Sequence, residues 1–367
     1  MPADHAPGEA MAKKKNVHII GTGTIGEPLI GILVDHAKHF GLDDVTFHKR
    51  TPLKTDRSKV KDLLRRGAKL AVDEDRLKDF KSFGIEPTLT AEQALDDASI
   101  VIDCTPVGNE NKEKLYLRRA SSTLGFIAQG SEFGFGKMYA RGINDAALKP
   151  GEDKFIQVVS CNTHNLAVIL DTVVFRRGTF ADLESAKFLC IRRANDISQD
   201  DSYCPAPTVN KHDDPVYGTH HAHDVSHLYE TLGAKLNGLF SSAIKLNTQY
   251  MHTIHFQVRM KRKTSLEELK DTMKSNDRIA VTYKMSANSV FSFGRDHGHF
   301  GRILNQTVFV LPSLHVSPDG REVTGFCFTP QDGNPLLSSV SAALWFLDPK
   351  TYESRIQVLK PYFFDEV

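Results

Sequence analysis

Two short segments concentrate the residues able to do chemistry. The first, Ser160-Cys161-Asn162-Thr163-His164, follows the apolar run Phe155 to Val159 and precedes Leu166, Ile169, Leu170 and Val173 at helical spacing. A strand, a turn and a helix in that order place Cys161 at a helix amino end, where free amides and the dipole favour thiolate. Its polar neighbours mark it as a nucleophile, whereas Cys104, Cys190 and Cys327 read as small buried apolar residues. A thiolate beside a nicotinamide implies one reaction. Sulfur adds to an aldehyde, a base takes the hydroxyl proton, hydride leaves to the cofactor, and a thioester remains.

The second segment is Gly21-Thr22-Gly23-Thr24-Ile25-Gly26, directly after the β-rich run Asn16 to Ile20 and before Leu29, Ile32 and Leu33 at helical spacing. The first glycine permits a tight turn, the second lets a diphosphate approach the backbone, and the third lets helix pack on strand. The next strand ends in His48-Lys49-Arg50-Thr51, without the carboxylate that holds an NAD ribose. A basic pair and a hydroxyl suit a 2′-phosphate, so NADP is the expected cofactor, with NAD as the other possibility.

The elements that must position these groups fall into two textures. Short strands Asn16 to Ile20, Asp44 to Phe47, Ser99 to Asp103 and Leu124 to Ala128 alternate with helical stretches and end in small residues. They read as a parallel sheet covered on both faces, a Rossmann dinucleotide-binding domain over residues 16–158. Beyond it, Ala186 to Arg193, Met251 to Met260, Ile279 to Lys284, Thr307 to Leu311 and Val323 to Phe328 read as longer strands. These predict an α+β catalytic domain over 159–334 with a mixed or antiparallel sheet, one helix opening at a Thr264/Glu267 capping box. The fold class is thus α/β with two domains. Asn334-Pro335 is placed to cap a last helix, about 335–348, whose apolar face is Leu337, Val340, Leu344 and Leu347, and that helix is expected to return to the first domain.

Composition narrows the function classes. Over 367 residues, 46 Lys and Arg stand against 45 Asp and Glu, a net charge of +1 that offers no global field for nucleic acid or an anionic membrane. Five scattered cysteines give neither a disulfide framework nor a zinc knuckle, and a reducing, cytoplasmic setting is expected. Residues 1–15 read as a solvated tail without the apolar stretch of a signal peptide, and no run nears the roughly 20 apolar residues of a membrane span.

In order along the chain come GTGTIG, TPVG at Thr105 to Gly108, QGSE at Gln129 to Glu132, VVSCNT at Val158 to Thr163, IRRAND at Ile191 to Asp196 and HHAHDV at His220 to Val225. Together they resemble the archaeal-type phosphorylating glyceraldehyde-3-phosphate dehydrogenases. The resemblance implies a homotetramer and a small-molecule aldehyde substrate. It also implies that Cys161 is the nucleophile, His252 of MHTIHF the general base, and Asn162 a donor to the developing oxyanion. Thr163, Arg192, Arg193, His220 and His221 are implied as the anion site for substrate phosphate and inorganic phosphate, and Ser160 and His164 beside them are expected to join the substrate site. Thr105, Pro106, Gly108, Gln129, Gly130 and Asn334 are implied to join the glycine turn around the cofactor. Arg192 and Arg193 are adjacent on a strand, so one of them is expected to face the pocket.

His164 and Asn165, where the family has a second threonine and then a small residue, predict a changed pocket. From them comes a second reading, an acyl-CoA reductase with the same thiolate chemistry; a third is a cofactor-binding regulatory protein without catalysis. The density of His212, His220, His221, His223 and His227 invites a metal, but no flanking cysteine supports one, so anion binding is preferred and no metal is expected.

Overall fold

The computed structural model describes residues 14–130, 132–196, 203–330 and 332–367. Most of the expected tail, residues 1–13, and Ser131 of QGSE lie outside the described residues. The first sheet holds β1 (Asn16–Ile20), β2 (Asp44–His48), β3 (Lys69–Val72), β4 (Leu89–Thr90), β5 (Ile100–Asp103), β6 (Gly125–Gln129), β7 (Lys137–Tyr139) and β8 (Phe155–Val158). Their order is β4-β3-β2-β1-β5-β6-β8-β7, and every pairing is parallel. The strands are buried almost throughout, as a sheet covered on both faces must be.

That order fixes where a ligand can sit. The chain winds outward from β1 to β4 and then returns to place β5 on the other side of β1, so a crevice opens beyond the carboxyl ends of β1 and β5. Because all strands run the same way, the glycine turn after β1, TPVG after β5, Gln129-Gly130 at the end of β6 and SCNT after β8 emerge along one edge. Helix α1 (Gly26–Asp35) follows the glycine turn. Gly26 is obligatory there, since a Cβ would meet the Gly21 carbonyl oxygen at 2.0 Å.

The second sheet holds β9 (Leu183–Arg192), β10 (Thr208–Val209), β11 (Leu239–Lys245), β12 (His252–Met260), β13 (Ile279–Thr282), β14 (Thr307–Val310), β15 (His315–Val316) and β16 (Glu322–Thr329). Its path is β10-β11-β9-β12-β16-β14-β13, with β15 paired to β16. It is mixed: β11 joins β9 in parallel, while β12 is antiparallel to both β9 and β16. Strict burial alternation along β12 shows one face on the core. On that face pack α2 (Cys161–Val173) and α3 (His220–Glu230). The strand β11 was not anticipated, because Ser241 and Ser242 interrupt its apolar pattern; α3 makes the crossover that parallel pairing with β9 requires.

Two helix starts differ from expectation, one by a single residue and the other by two. In α4 (Leu266–Lys274) the capping box is Ser265 with Glu268, not Thr264 with Glu267, and Thr264 instead donates to the Glu268 carboxylate. After α5 (Ala287–His297), α6 (Gly333–Leu347) begins at Gly333 with Asp332 as its cap, so Asn334 lies inside the first turn. Helix α6 is buried nearly all round and joins the core of the first sheet through Leu336, Leu337, Val340 and Leu344. Among the described residues no helix is long and apolar enough to cross a membrane.

Candidate functional site

Cys161 opens α2, and Ser160 caps that helix by accepting from the Thr163 amide at 3.2 Å. The chain passes here from the carboxyl edge of the first sheet into the core of the second. Opposite it, antiparallel pairing gathers one end of the second sheet: Arg192 ends β9, His252 begins β12, and Thr329, directly across from His252, ends β16. Asp332 and Asn334 follow a few residues later. Asn334 reaches back, its Nδ2 donating to the Cys161 carbonyl at 3.0 Å and the Gln306 carbonyl at 3.1 Å. The nucleophile's turn is thus held between the two sheets and the last helix.

Electrostatics at this turn run against the simple helix-dipole expectation. Burial pushes the Cys161 thiol up to about 12, and Asp332 adds to that, while Arg193 and Arg192 act in the opposite direction. Asp332 is itself buried and raised, opposed by its ion pair with Arg193 at 3.1 Å. Its φ of 55° is left-handed, so the backbone is strained where its carboxylate is aimed at Arg193. The sequence pattern could not show this pairing, because 139 residues separate the partners.

The two arginines divide their work. Arg193 is buried and neutralised by Asp332 and Asp196. Arg192 has no ion pair among the described residues, and it lies near enough to act on Cys161, His220, His221 and His252. Arg192 is therefore the guanidinium able to meet an anion, and Arg193 is a tie between strand and α6.

His252 Nδ1 accepts from the Arg193 backbone amide at 3.0 Å. A neutral ring so bound carries its proton on Nε2 and offers a donor there, not a base. Burial and the two arginines hold this imidazole well below its usual pKa, so the ring is neutral. His255 lies on the other face, against Phe326. Asn162 donates to His221 Nε2 at 3.2 Å, and the His221 ring is also held by Thr219 at 3.0 Å.

Other expected site residues turn inward. His164 is fully buried, its Nδ1 on the Ser160 carbonyl at 3.0 Å and its Nε2 on Ser338 of α6 at 2.7 Å. Asn165 donates to Thr329 at 2.7 Å and accepts from the Cys327 thiol at 3.3 Å. Neither lines an open pocket, so the changed pocket expected from them is not formed by them. Gln129 spends its amide on Ser339 of α6 at 2.7 Å.

The histidine-rich stretch is not one cluster. His221 faces Asn162, His212 binds Ser242 at 3.0 Å, and His223 and His227 bond to each other at 3.1 Å beside Phe133. His220 and His223 line a cleft of about 310 Å³ with Gln157, Asp224 and Phe133. Among the described residues, no group of three or more His, Cys, Asp or Glu is placed to hold a metal ion.

The glycine turn lines a separate cleft of about 360 Å³ with Gly21, Thr22, Lys49, Arg50, Thr51 and Thr105 along its wall. Thr105 is fixed by donating to Asp103 at 2.6 Å. Among the described residues, a Cβ at Gly23 would meet nothing within 4 Å, which leaves open room over the turn, and Asn334 Oδ1 is a buried acceptor without a partner. A diphosphate over the turn and a carboxamide at Asn334 would meet these needs. Lys49 is already committed to Asp56, and His48 to Asp73 at 3.2 Å. Arg50 is exposed and unpaired among the described residues.

A parallel sheet with a glycine turn at its switch point, joined through a cysteine-bearing turn to a mixed sheet, defines a two-domain α/β fold whose first sheet is Rossmann-like. The chain is similar to archaeal glyceraldehyde-3-phosphate dehydrogenases, as the ordered motifs indicate. It is 26% identical to that enzyme of Methanobrevibacter smithii over 275 residues, 73% of this chain and 74% of the relative. With the enzyme of Sulfolobus acidocaldarius it shares 27% over 71% of this chain and 73% of the relative, and with that of Methanocaldococcus jannaschii 28% over 68% and 72%. No protein-family model matches the chain.

Proposed function

We propose that this protein oxidises glyceraldehyde 3-phosphate with NADP and inorganic phosphate to 1,3-bisphosphoglycerate, through a thioester on Cys161. The observation that carries the reading is that Cys161, at the carboxyl edge of the first sheet, and the His252 ring, at the end of the second, both lie within the field of Arg192 and Arg193, of which Arg192 makes no ion pair among the described residues. The relatives' names point to the same aldehyde.

Cys161 loses its proton to solvent and its sulfur attacks the aldehyde carbon, forming a C–S bond and an alkoxide. In this reading His252, carrying its proton on Nε2, donates to that oxygen, and Asn162, the residue after Cys161, assists. This revises the role implied by family likeness: a neutral imidazole locked in this tautomer stabilises the oxyanion and takes up no proton. A nicotinamide cofactor held at the glycine turn would supply the hydride acceptor for collapse of the alkoxide to the thioester. Phosphate then attacks the thioester carbon, the C–S bond breaks, and Cys161 leaves as thiolate. Arg192 holds the anion for that attack.

NADP is favoured over NAD by Arg50 and Thr51 on the cleft wall, with Lys49 contributing less than its position in sequence implies because Asp56 neutralises it. His164 and Asn165, two of the residues that motivate a coenzyme A acceptor, are enclosed and lend that reading no support. A panel of glyceraldehyde 3-phosphate, other aldehydes and acyl-CoA thioesters, each with NADP or NAD and read by nicotinamide absorbance, tests the reading. Reduction of NADP by glyceraldehyde 3-phosphate that depends on phosphate or arsenate is expected. Turnover confined to acyl-CoA thioesters, or to no member of the panel, overturns it.

A further inference from the structure

The segment between α5 and β14 crosses from the second sheet onto the first helix. Its Phe300 ring lies on α1 where the helix carries Gly31; a Cβ there would meet that ring at 2.4 Å. Phe300 itself has a φ of 49°, an unusual conformation for an aromatic residue. This close docking delivers Arg302, whose Nη2 donates to the Thr24 carbonyl at 3.3 Å, inside the glycine turn.

Arg302 is mostly buried and lacks an anion of its own. Its Nη1 donates to the Phe300 carbonyl, and its Nε is buried without a partner among the described residues. The two carboxylates that act on it are already taken: Glu27 pairs with Lys59 at 3.4 Å and Asp332 with Arg193 at 3.1 Å. Among the described residues it makes no ion pair within 4 Å. Burial accordingly lowers its pKa. A buried cation whose hydrogen-bonding fork is only partly used is costly unless an anion completes it. Its reach to Thr24 places that anion at the turn, where α1 presents its free amides.

We propose that Arg302 binds the diphosphate of the dinucleotide at the glycine turn, supplied from the second sheet's side of the molecule. It is a cofactor-positioning residue, and it rests on the dinucleotide reading above. Because Arg302 and Arg193 both act electrostatically on Asp332, which stands at the N-cap position of α6 two residues before Asn334, an anion at the turn is linked to the helix that grips the Cys161 carbonyl.

The test is binding of three ligands to the full chain by calorimetry: NADP, ADP-ribose, and adenosine 2′,5′-bisphosphate, which has no diphosphate. Arg302→Ala should weaken NADP and ADP-ribose at least tenfold and change adenosine 2′,5′-bisphosphate less than twofold. Arg302→Lys keeps charge without the fork and should lie between; it also serves if the alanine variant does not fold. Equal losses for all three ligands, or no loss for any, would overturn the assignment and leave Arg302 a packing residue. If the unaltered protein binds neither NADP nor NAD, it is the dinucleotide reading that fails.

Discussion

Asn334 Nδ2 donates to the Cys161 carbonyl oxygen at 3.0 Å, across 173 residues of chain. The bond joins the first turn of the last helix to the turn that carries the nucleophile, and it leaves Asn334 Oδ1 as a buried acceptor. One side chain thus orients the reactive sulfur's backbone while keeping a lone pair for a carboxamide.

Asn334→Ala removes both functions and should lower kcat by about tenfold to a hundredfold, as losing a donor that positions a reacting group does. Asn334→Asp should keep the acceptor and lose the donor. An equal kcat in the alanine variant, measured with saturating NADP and aldehyde, would show that the bond does not position Cys161.

Asp332 raises the Cys161 thiol through space, so removing its charge should lower that pKa. Asn tolerates the left-handed backbone at this position, which makes Asp332→Asn the suitable change. Alkylation of Cys161 by iodoacetamide, followed against pH, should move to lower pH in this variant. The freed Arg193 charge acts in the same direction. A profile shifted upward, or unmoved, would contradict the arrangement.

His164 predicts a stability profile. Burial lowers its pKa from 6.5 to about 4 in the folded chain, so between those values the unfolded chain binds more protons. Its contribution is complete above pH 6.5 and is lost as pH falls toward about 4, amounting to about 3 kcal/mol at most. Replacing it by Gln, which can still accept from Ser338, should flatten the urea-midpoint dependence over that window. An unchanged acid limb would place the titration elsewhere.

Arg50 and Lys49 differ in what they can still bind. Arg50→Ala should weaken NADP by about 1 kcal/mol or more while leaving NAD unchanged, as loss of a charge-assisted contact to a 2′-phosphate requires. Lys49→Ala should do less, since Asp56 holds that ammonium. The reverse order in calorimetry would mean that the Lys49 pair opens to take the phosphate.

Much of this was legible in the chain because local patterns and local chemistry coincide. The strand, glycine turn and helix over 16–35 announce themselves through spacing, and the Cys161 turn through polar residues between apolar runs. What stayed hidden depends on contacts distant in sequence. Arg193 reads as a free cation until Asp332 is beside it, His164 reads as a pocket residue until Ser338 meets it, and His252 reads as a base until a backbone amide takes its Nδ1. Burial is also invisible in a motif, and at Cys161 it outweighs the helix end that spacing alone brings forward.

The central claim is that Cys161 carries the acyl group between hydride loss and transfer to phosphate. Rapid mixing of the protein with NADP and glyceraldehyde 3-phosphate, without phosphate, should give a burst of NADPH of one equivalent per chain and then stop. Adding phosphate or arsenate should restart it as continuous turnover, and Cys161→Ser should abolish the burst. Continuous NADPH formation without any acceptor, or a burst that survives in the serine variant, would contradict the account.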